Sequence, residues 1–295
     1  VPLFDRYLIV DWSAANTPKT GQDSIWICLC GEGCETVLKN ISTRESAMQF
    51  VVETFEACLS KGERIFAGFD FGFGFPRGMA KRFAGKASWK SVWSKIAEGI
   101  TDSATNKSNR FEFADTINRD VFPDVDGPFW GHPHQHAGRY QFLNSKRPNY
   151  SIFPEKRFVE QQIKSAQPVW KLAYTGSVGS QTLLGIAHLE ALRKAFQDRL
   201  SIWPFETRFS DDLDKPLTVA EVYPSLFPVS VKAGEVKDAA QVRTLALKFE
   251  LLDQENNFHQ LLSAPADMSA GDKEIVLNEE GWIVGAGHHN QEVTS

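Results

Sequence analysis

Two short apolar runs, each closing on an aspartate, constrain this chain more than any other feature. Arg6-Tyr7-Leu8-Ile9-Val10-Asp11 and Arg64-Ile65-Phe66-Ala67-Gly68-Phe69-Asp70 are almost unbroken in apolar residues. That pattern belongs to strands covered on both faces, because a strand with one wet face alternates apolar with polar. Each run opens directly into a loop of small and aromatic residues, Asp11-Trp12-Ser13-Ala14-Ala15 and Asp70-Phe71-Gly72-Phe73-Gly74-Phe75-Pro76. A sheet containing such strands needs helices on both sides, so the expected class is α/β.

Between these two runs the sequence supplies the rest of a meander and a helix. Ser24 to Cys30 reads as a second strand, Gly31-Glu32-Gly33 as a turn, and Cys34 to Lys39 as a third strand. Ser42 with Glu45 three residues later has capping-box spacing, and the stretch to Leu59 continues at helical period. Further on, Ser180 to Leu200 and Asp238 to Leu252 each carry one apolar helical face, with a strand at Leu217 to Val222 between them. The order β-β-β-α-β, then α, β, α, is the element order of the ribonuclease H fold. The expectation is a mixed five-stranded sheet, a three-strand antiparallel meander plus parallel strands, flanked by helices. Residues 1–76 and 166–295 form this core, and 77–165, which shows no clean period, is read as an insertion after the fourth strand.

In that arrangement Asp11 and Asp70 end neighbouring parallel strands at the middle of the sheet, where open α/β sheets place their sites. Two carboxylates so close repel unless a cation sits between them. A hard divalent ion with oxygen ligands, Mg²⁺ or Mn²⁺, suits such a pair. An Asp after a strand also serves simply to cap a turn, and it is the repetition at equivalent places that favours chemistry.

Five pieces of the sequence resemble the predicted ribonuclease-H-like nucleases grouped as domain of unknown function 429. They are Val10-Asp11-Trp12-Ser13, Phe69-Asp70-Phe71-Gly72-Phe73-Gly74-Phe75-Pro76, Ala220-Glu221-Val222-Tyr223-Pro224-Ser225-Leu226-Phe227, Lys237-Asp238-Ala239 and Glu280-Gly281-Trp282-Ile283. The resemblance spans most of the chain in the right order and leaves out the middle. It implies Asp11, Asp70, Glu221 and Asp238 as catalytic and metal-binding acids. The family pattern has another acid a few positions before its Asp-Ala, and here Glu235 stands three before Asp238, a departure. Four such acids fit two-metal phosphodiester hydrolysis, in which ions activate water and stabilise the leaving oxygen. Glu221 also fits an edge-strand surface position, and Asp238 an ordinary helix cap.

Thr175-Gly176-Ser177-Val178-Gly179-Ser180-Gln181 runs straight into a helix. Backbone N–H groups, hydroxyls and glycines at a helix start favour an anion. Ser13, Lys171, Ser177, Gly179 and Ser180 are therefore candidate phosphate-binding residues, with turn capping as the plain alternative. Trp130-Gly131-His132-Pro133-His134-Gln135-His136 lacks the i, i+4 spacing that presents histidines to a metal and is read as a loop lining the site. His288-His289 read as tail. Phe71-Gly72-Phe73-Gly74 lacks the third glycine of a dinucleotide fingerprint, and no Gly-x4-Gly-Lys-Ser/Thr loop occurs.

Charge bears on partners. The net charge is −5, yet residues 77–110 hold eight Lys/Arg against two acids, and residues 137–171 hold seven against two. Aromatics lie among these cations: Trp89, Trp93, Tyr140, Phe142, Tyr150 and Phe153. Interleaved cations and rings suit single-stranded nucleic acid, and an aromatic core of a small subdomain is the competing explanation. The four cysteines, 28, 30, 34 and 58, lack paired zinc spacing and are expected as buried free thiols.

No run approaches the roughly 18 apolar residues of a membrane span, and the first residues lack a signal-peptide pattern. The expectation is a cytoplasmic protein with no membrane partner. Its expected activity is metal-dependent phosphodiester hydrolysis on nucleic acid or a phosphodiester small molecule. An actin-like, ATP-dependent phosphoryl-transfer enzyme and a non-catalytic ribonuclease-H-like binding module are the alternatives.

Overall fold

The structure is a computed structural model that describes residues 1–150 and 153–288. Six strands form one mixed sheet in the order β3-β2-β1-β4-β6-β5. They are β1 (Arg6–Asp11), β2 (Ile25–Cys30), β3 (Val37–Ile41), β4 (Ile65–Phe69), β5 (Leu200–Ile202) and β6 (Leu217–Glu221). The meander β1-β2-β3 is antiparallel, whereas β4 lies parallel to both β1 and β6, and β5 parallel to β6.

The expected sheet had five strands, and the sixth is β5. Leu200-Ser201-Ile202 is too short for a period to register. It also comes directly after helical sequence that reads as continuing to Leu200. The third strand starts at Val37 rather than Cys34, because Cys34 still belongs to the turn, its N–H bonded to the Gly31 carbonyl at 3.1 Å.

Nine α-helices accompany the sheet among the described residues: α1 (Arg44–Lys61), α2 (Met79–Ala84), α3 (Trp89–Gly99), α4 (Arg110–Val121), α5 (Phe158–Gln162), α6 (Gly179–Phe196), α7 (Lys237–Gln254), α8 (Phe258–Leu262) and α9 (Ala270–Ile275). The α1 cap is Thr43, one residue after the expected Ser42, and its hydroxyl accepts from the Ser46 N–H at 3.3 Å.

Because strand side chains alternate between faces, the central strands feed two cores. Leu8, Val10, Ala67, Phe69 and Val219 pack with Val51 and Phe55 of α1 and with Leu183 and Ile186 of α6. Tyr7, Ile9, Phe66 and Ala220 pack on the other side with Val242, Leu245 and Phe249 of α7 and Phe258 of α8. Phe66 meets Phe4, Phe249 and Phe258 edge-on, with ring centroids 5.6, 5.6 and 5.2 Å away. Each fully buried ring of this kind contributes about 1.5–3 kcal/mol through burial. Gly68 is required in β4, since a Cβ there would lie 2.6 Å from the Val222 side chain and 2.9 Å from that of Ile9.

Residues 77–165 contribute α2 to α5 and make no core of their own: α2 to α4 share the α1/α6 core, while Val159 and Ile163 join the α7/α8 side. Trp89, Trp93, Phe111, Phe122, Phe129, Tyr140 and Phe153 all join the α1/α6 core. Most aromatics proposed for base stacking are thus packing residues. Trp93 is fully buried, with its indole N–H on the Phe73 carbonyl at 2.7 Å, and Tyr150 is half-buried. Phe142 alone of the six is exposed. Cys28, Cys30 and Cys58 are buried free thiols, and Cys34 is free but exposed.

No helix of the described residues is long and apolar enough to cross a membrane. Among them one sheet is present, where the actin-like alternative needs a duplicated core.

Candidate functional site

Parallel pairing of β1 and β4 sets Val10 opposite Phe69, so the next residue of each chain segment, an aspartate, emerges beside the other at the carboxyl edge. The Asp70 N–H bonds the Val10 carbonyl at 3.3 Å, extending the ladder by one step. The Asp70 Oδ1 accepts the Trp12 N–H at 2.7 Å, which fixes the carboxylate against the first loop. Trp12 itself is buried and packs against Phe69 and Phe71, anchoring the turn after Asp11.

The two carboxyl groups hydrogen-bond to one another. Burial first, then the Asp70 charge and bond, then Asp238 and Asp23, hold Asp11 well above the usual carboxylate range. Burial also pushes Asp70 up, to about 7, against the lowering effect of the bonds from Asp11 and the Trp12 N–H. Both shifts favour a proton held between the two carboxyls over two bare charges, unless a cation replaces it.

Asp238 lies in the first turn of α7 and does not cap that helix, whose N-cap is Val236. Its Oδ2 instead accepts the Asp23 N–H at 2.7 Å, tying the loop after β1 to α7. Glu235 is turned away, bound to Arg243 at 2.7 Å. Asp11 and Asp238 line one cleft of about 660 Å³, together with Ser13, Lys19, Arg110, Tyr174, Ser177 and Ser180.

Glu221 departs from expectation. It ends β6 one strand from Asp70, but it is buried and held by Arg157 through two bonds, at 2.6 and 2.7 Å. The Phe73 N–H adds a third at 2.9 Å. Arg157 is equally buried and also binds Glu160 at 2.7 Å and the Glu280 carbonyl at 2.9 Å. A carboxylate engaged in this way is a structural ion-pair member rather than a free ligand. Among the described residues no three His, Cys, Asp or Glu side chains form a group able to hold a metal ion. The four-carboxylate cluster expected from sequence is thus not assembled: Asp11 and Asp70 meet, Asp238 joins Asp11 in the cleft, and Glu221 is neutralised.

The phosphate candidates also separate. Ser13 lines the cleft, its hydroxyl on the Asp23 carbonyl at 3.2 Å. Ser177 and Ser180 line it too, the Ser180 hydroxyl donating to the Leu172 carbonyl at 2.6 Å. Gly179 is excluded as a donor, because its N–H is spent on the Lys171 carbonyl at 2.8 Å. It is glycine because a Cβ there would sit 2.4 Å from the Val169 carbonyl. Lys171 does not line the cleft; its ammonium binds the Thr175 carbonyl at 2.5 Å.

The histidine tract behaves as a loop. His132 is buried, His134 lies against Tyr174, and His136 packs between Phe111 and Tyr140. Pro133 of this loop reaches the cleft wall. His288 bonds the Ser263 carbonyl at 3.1 Å, and His289 lies outside the described residues.

Several residues of this edge carried no sequence signal. Arg157 was one more cation in a basic stretch, and only its i, i+3 spacing to Glu160 hinted at a local pair. Arg110 and Gln181, whose amide donates to the Trp12 carbonyl at 2.5 Å, are visible only once the elements pack. Comparison with protein-family models, curated proteins and solved structures returned no match.

Proposed function

We propose that the chain is a metal-dependent phosphoester hydrolase of ribonuclease-H-like architecture. The observation that carries this reading is the Asp11–Asp70 pair, two mutually bonded carboxyls at the ends of adjacent parallel strands, with Asp11 lining the cleft of about 660 Å³ and Asp70 lining a second pocket beside Glu221. The motif resemblance and a meander leading into parallel strands, in the order β3-β2-β1-β4, support the architecture.

The donor set fits a hard divalent ion. Mg²⁺ binds through one or two carboxylates and keeps several waters or substrate oxygens, so a two-carboxylate site without a third protein ligand suffices. Asp11 and Asp70 would hold it, with Asp238 adding negative charge nearby. Such an ion supplies charge stabilisation on phosphoryl oxygens and a more acidic bound water. The protein's own part is to present the pair: the Trp12 N–H orients Asp70, and the packed Trp12 ring fixes the loop after Asp11.

A small phosphoester is favoured over a polymer as substrate. Of the cations first read as a nucleic-acid surface, Arg82 pairs with Asp124, Lys90 with Glu206, Arg139 with Glu112 and Arg147 with Glu155. Paired in this way they attract phosphates less than their number implies.

The test is a melting curve with Mn²⁺ and then hydrolysis of a chromogenic phosphodiester. Millimolar Mn²⁺ is expected to raise the melting temperature by mass action on the native state. Asp70→Asn and Asp11→Asn should each abolish both the shift and the hydrolysis. An unchanged curve for the wild-type chain would overturn the reading.

A further inference from the structure

Three arginines among the described residues are nine-tenths or more buried, and they differ in what answers their charge. Arg44 is held by Asp102 at 2.5 and 2.6 Å, and Arg157 by Glu221 and Glu160. Arg110, 7% exposed, has only neutral hydrogen-bond partners among the described residues: Ser180 Oγ at 3.0 Å, Asn16 Oδ1 at 3.1 Å and Ser108 Oγ at 2.8 Å. Asp102 and Glu112 act on it only through space, because Asp102 is taken by Arg44 and His188, and Glu112 by Arg139. Burial and the Arg44 charge lower the Arg110 pKa to about 10. A buried cation without a counter-charge is costly, and proteins keep such groups paired.

Arg110 lines the cleft that contains Asp11. Beside it, Ser177 and Ser180 stand at the start of α6, a helix of 18 residues whose N-terminal dipole also favours negative charge. Lys19 lines the same cleft. The wall there is aromatic and fixed. Phe111 is buried beneath the Arg110 guanidinium, 4.5 Å from its ring centroid. Tyr174 bonds the His132 carbonyl at 2.9 Å and rests on the His134 ring.

We propose that Arg110 anchors a phosphate group of a small, ring-bearing phosphoester bound in this cleft, the counter-charge being carried in by the ligand. The cleft volume suits a nucleotide-sized molecule. The phosphate meets Nη2 of Arg110, the end of the guanidinium to which Ser180, Asn16 and Ser108 make no bond, beside Ser177 at the helix start, and a planar ring lies against Tyr174. The inference rests on the hydrolase reading only for what happens at Asp11 and Asp70. The anchoring itself needs no metal.

Isothermal titration in EDTA, with inorganic phosphate and with a nucleoside monophosphate as probes, separates the two. The wild-type chain and Asp70→Asn should bind both probes alike, with the nucleotide tighter. Arg110→Met should weaken both by roughly ten- to a hundredfold, the loss of charge-assisted hydrogen bonds. Its melting temperature in phosphate-free buffer should not fall, since an uncompensated charge leaves the interior. Should Arg110→Met not fold, Arg110→Gln, which keeps an amide donor for Asn16 or Ser108, carries the same titration. Wild-type affinity in either variant, absence of phosphate binding by the wild-type chain, or loss of it in Asp70→Asn would overturn the assignment. Equal affinity for both probes would overturn its ring-bearing part. Phosphate binding intact alongside no metal response would remove the hydrolase reading and leave Arg110 standing.

Discussion

Glu221 and the Asp11–Asp70 pair stand one strand apart at the same edge of the sheet, yet their charges are met in opposite ways. Glu221 is enclosed with Arg157, its lone pairs taken by a guanidinium fork and the Phe73 N–H. Asp11 and Asp70 are bonded to no cation among the described residues and share a bond with each other. Evolution of a stable edge alone would favour the first solution, because opposite charges with full hydrogen bonding offset part of their desolvation. Like charges left together store unfavourable energy, and they persist where a ligand or proton relieves it. Under the proposed function, the contrast divides one acidic edge into a structural half and a chemical half.

The largest expected effect breaks the structural half. Arg157→Met leaves Glu221 and Glu160 buried without a counter-charge, and urea denaturation should report a loss of about 3–5 kcal/mol. A loss under about 1 kcal/mol would mean that the triad is not what closes this edge.

The next measurement probes the chemical half through pH. The Asp70 carboxyl sits at about 7 in the folded chain against an ordinary 3.8, with burial the main cause. Between those values the folded chain holds more protons than the unfolded one, so stability falls as pH rises from about 4 to about 7. Below that window the contribution is fully present; above it, it is lost. Asp70→Asn should flatten this part of the curve by up to about one proton in divalent-free buffer. A mutant curve parallel to that of the parent would show that the pair holds no extra proton. Bound Mn²⁺ should reverse the slope, since an ion competes with the shared proton.

The smallest effect is expected outside both halves. Arg139→Ala, Lys146→Ala and Arg147→Ala combined should leave oligonucleotide binding weak and its salt dependence unchanged. The two arginines are already paired on the surface, and each substitution should move stability by no more than about 0.5 kcal/mol. A slope that flattens by roughly one unit per lost contact would restore the polymer as substrate.

Asp11 and Asp70 were legible because two fully buried strands announce themselves by composition, and strand register then dictates where the residue after each of them must stand. Asp238 was legible as a helix-start acid, although its hydrogen bond goes to the Asp23 loop rather than to its own helix. Glu221 was placed correctly at a strand end, but its buried ion pair with Arg157 was not legible. Its partner lies 64 residues away in the chain, and no local pattern pairs them. The same limit hid Arg110, whose neighbours Asn16 and Ser180 come from opposite sides of it in sequence. β5 escaped because three residues carry no period. Trp89, Trp93 and Tyr140 show what composition leaves open: rings among cations suit a binding face or a packed subdomain until burial is known.

The placement of β4 between β1 and β6 bears on how the chain is made. β1, β2 and β3 are available to β4 as soon as residue 69 has been synthesised, but its second neighbour begins only at Leu217, and Ile283 bridges Glu221 later still. Until Leu217 emerges, one of the most apolar strands of the molecule has an unpaired side. An open apolar edge invites pairing with another nascent chain. The long segment that separates β4 from β6 therefore sets a period of exposure to aggregation, which ends when β6 docks and Arg157 closes over Glu221.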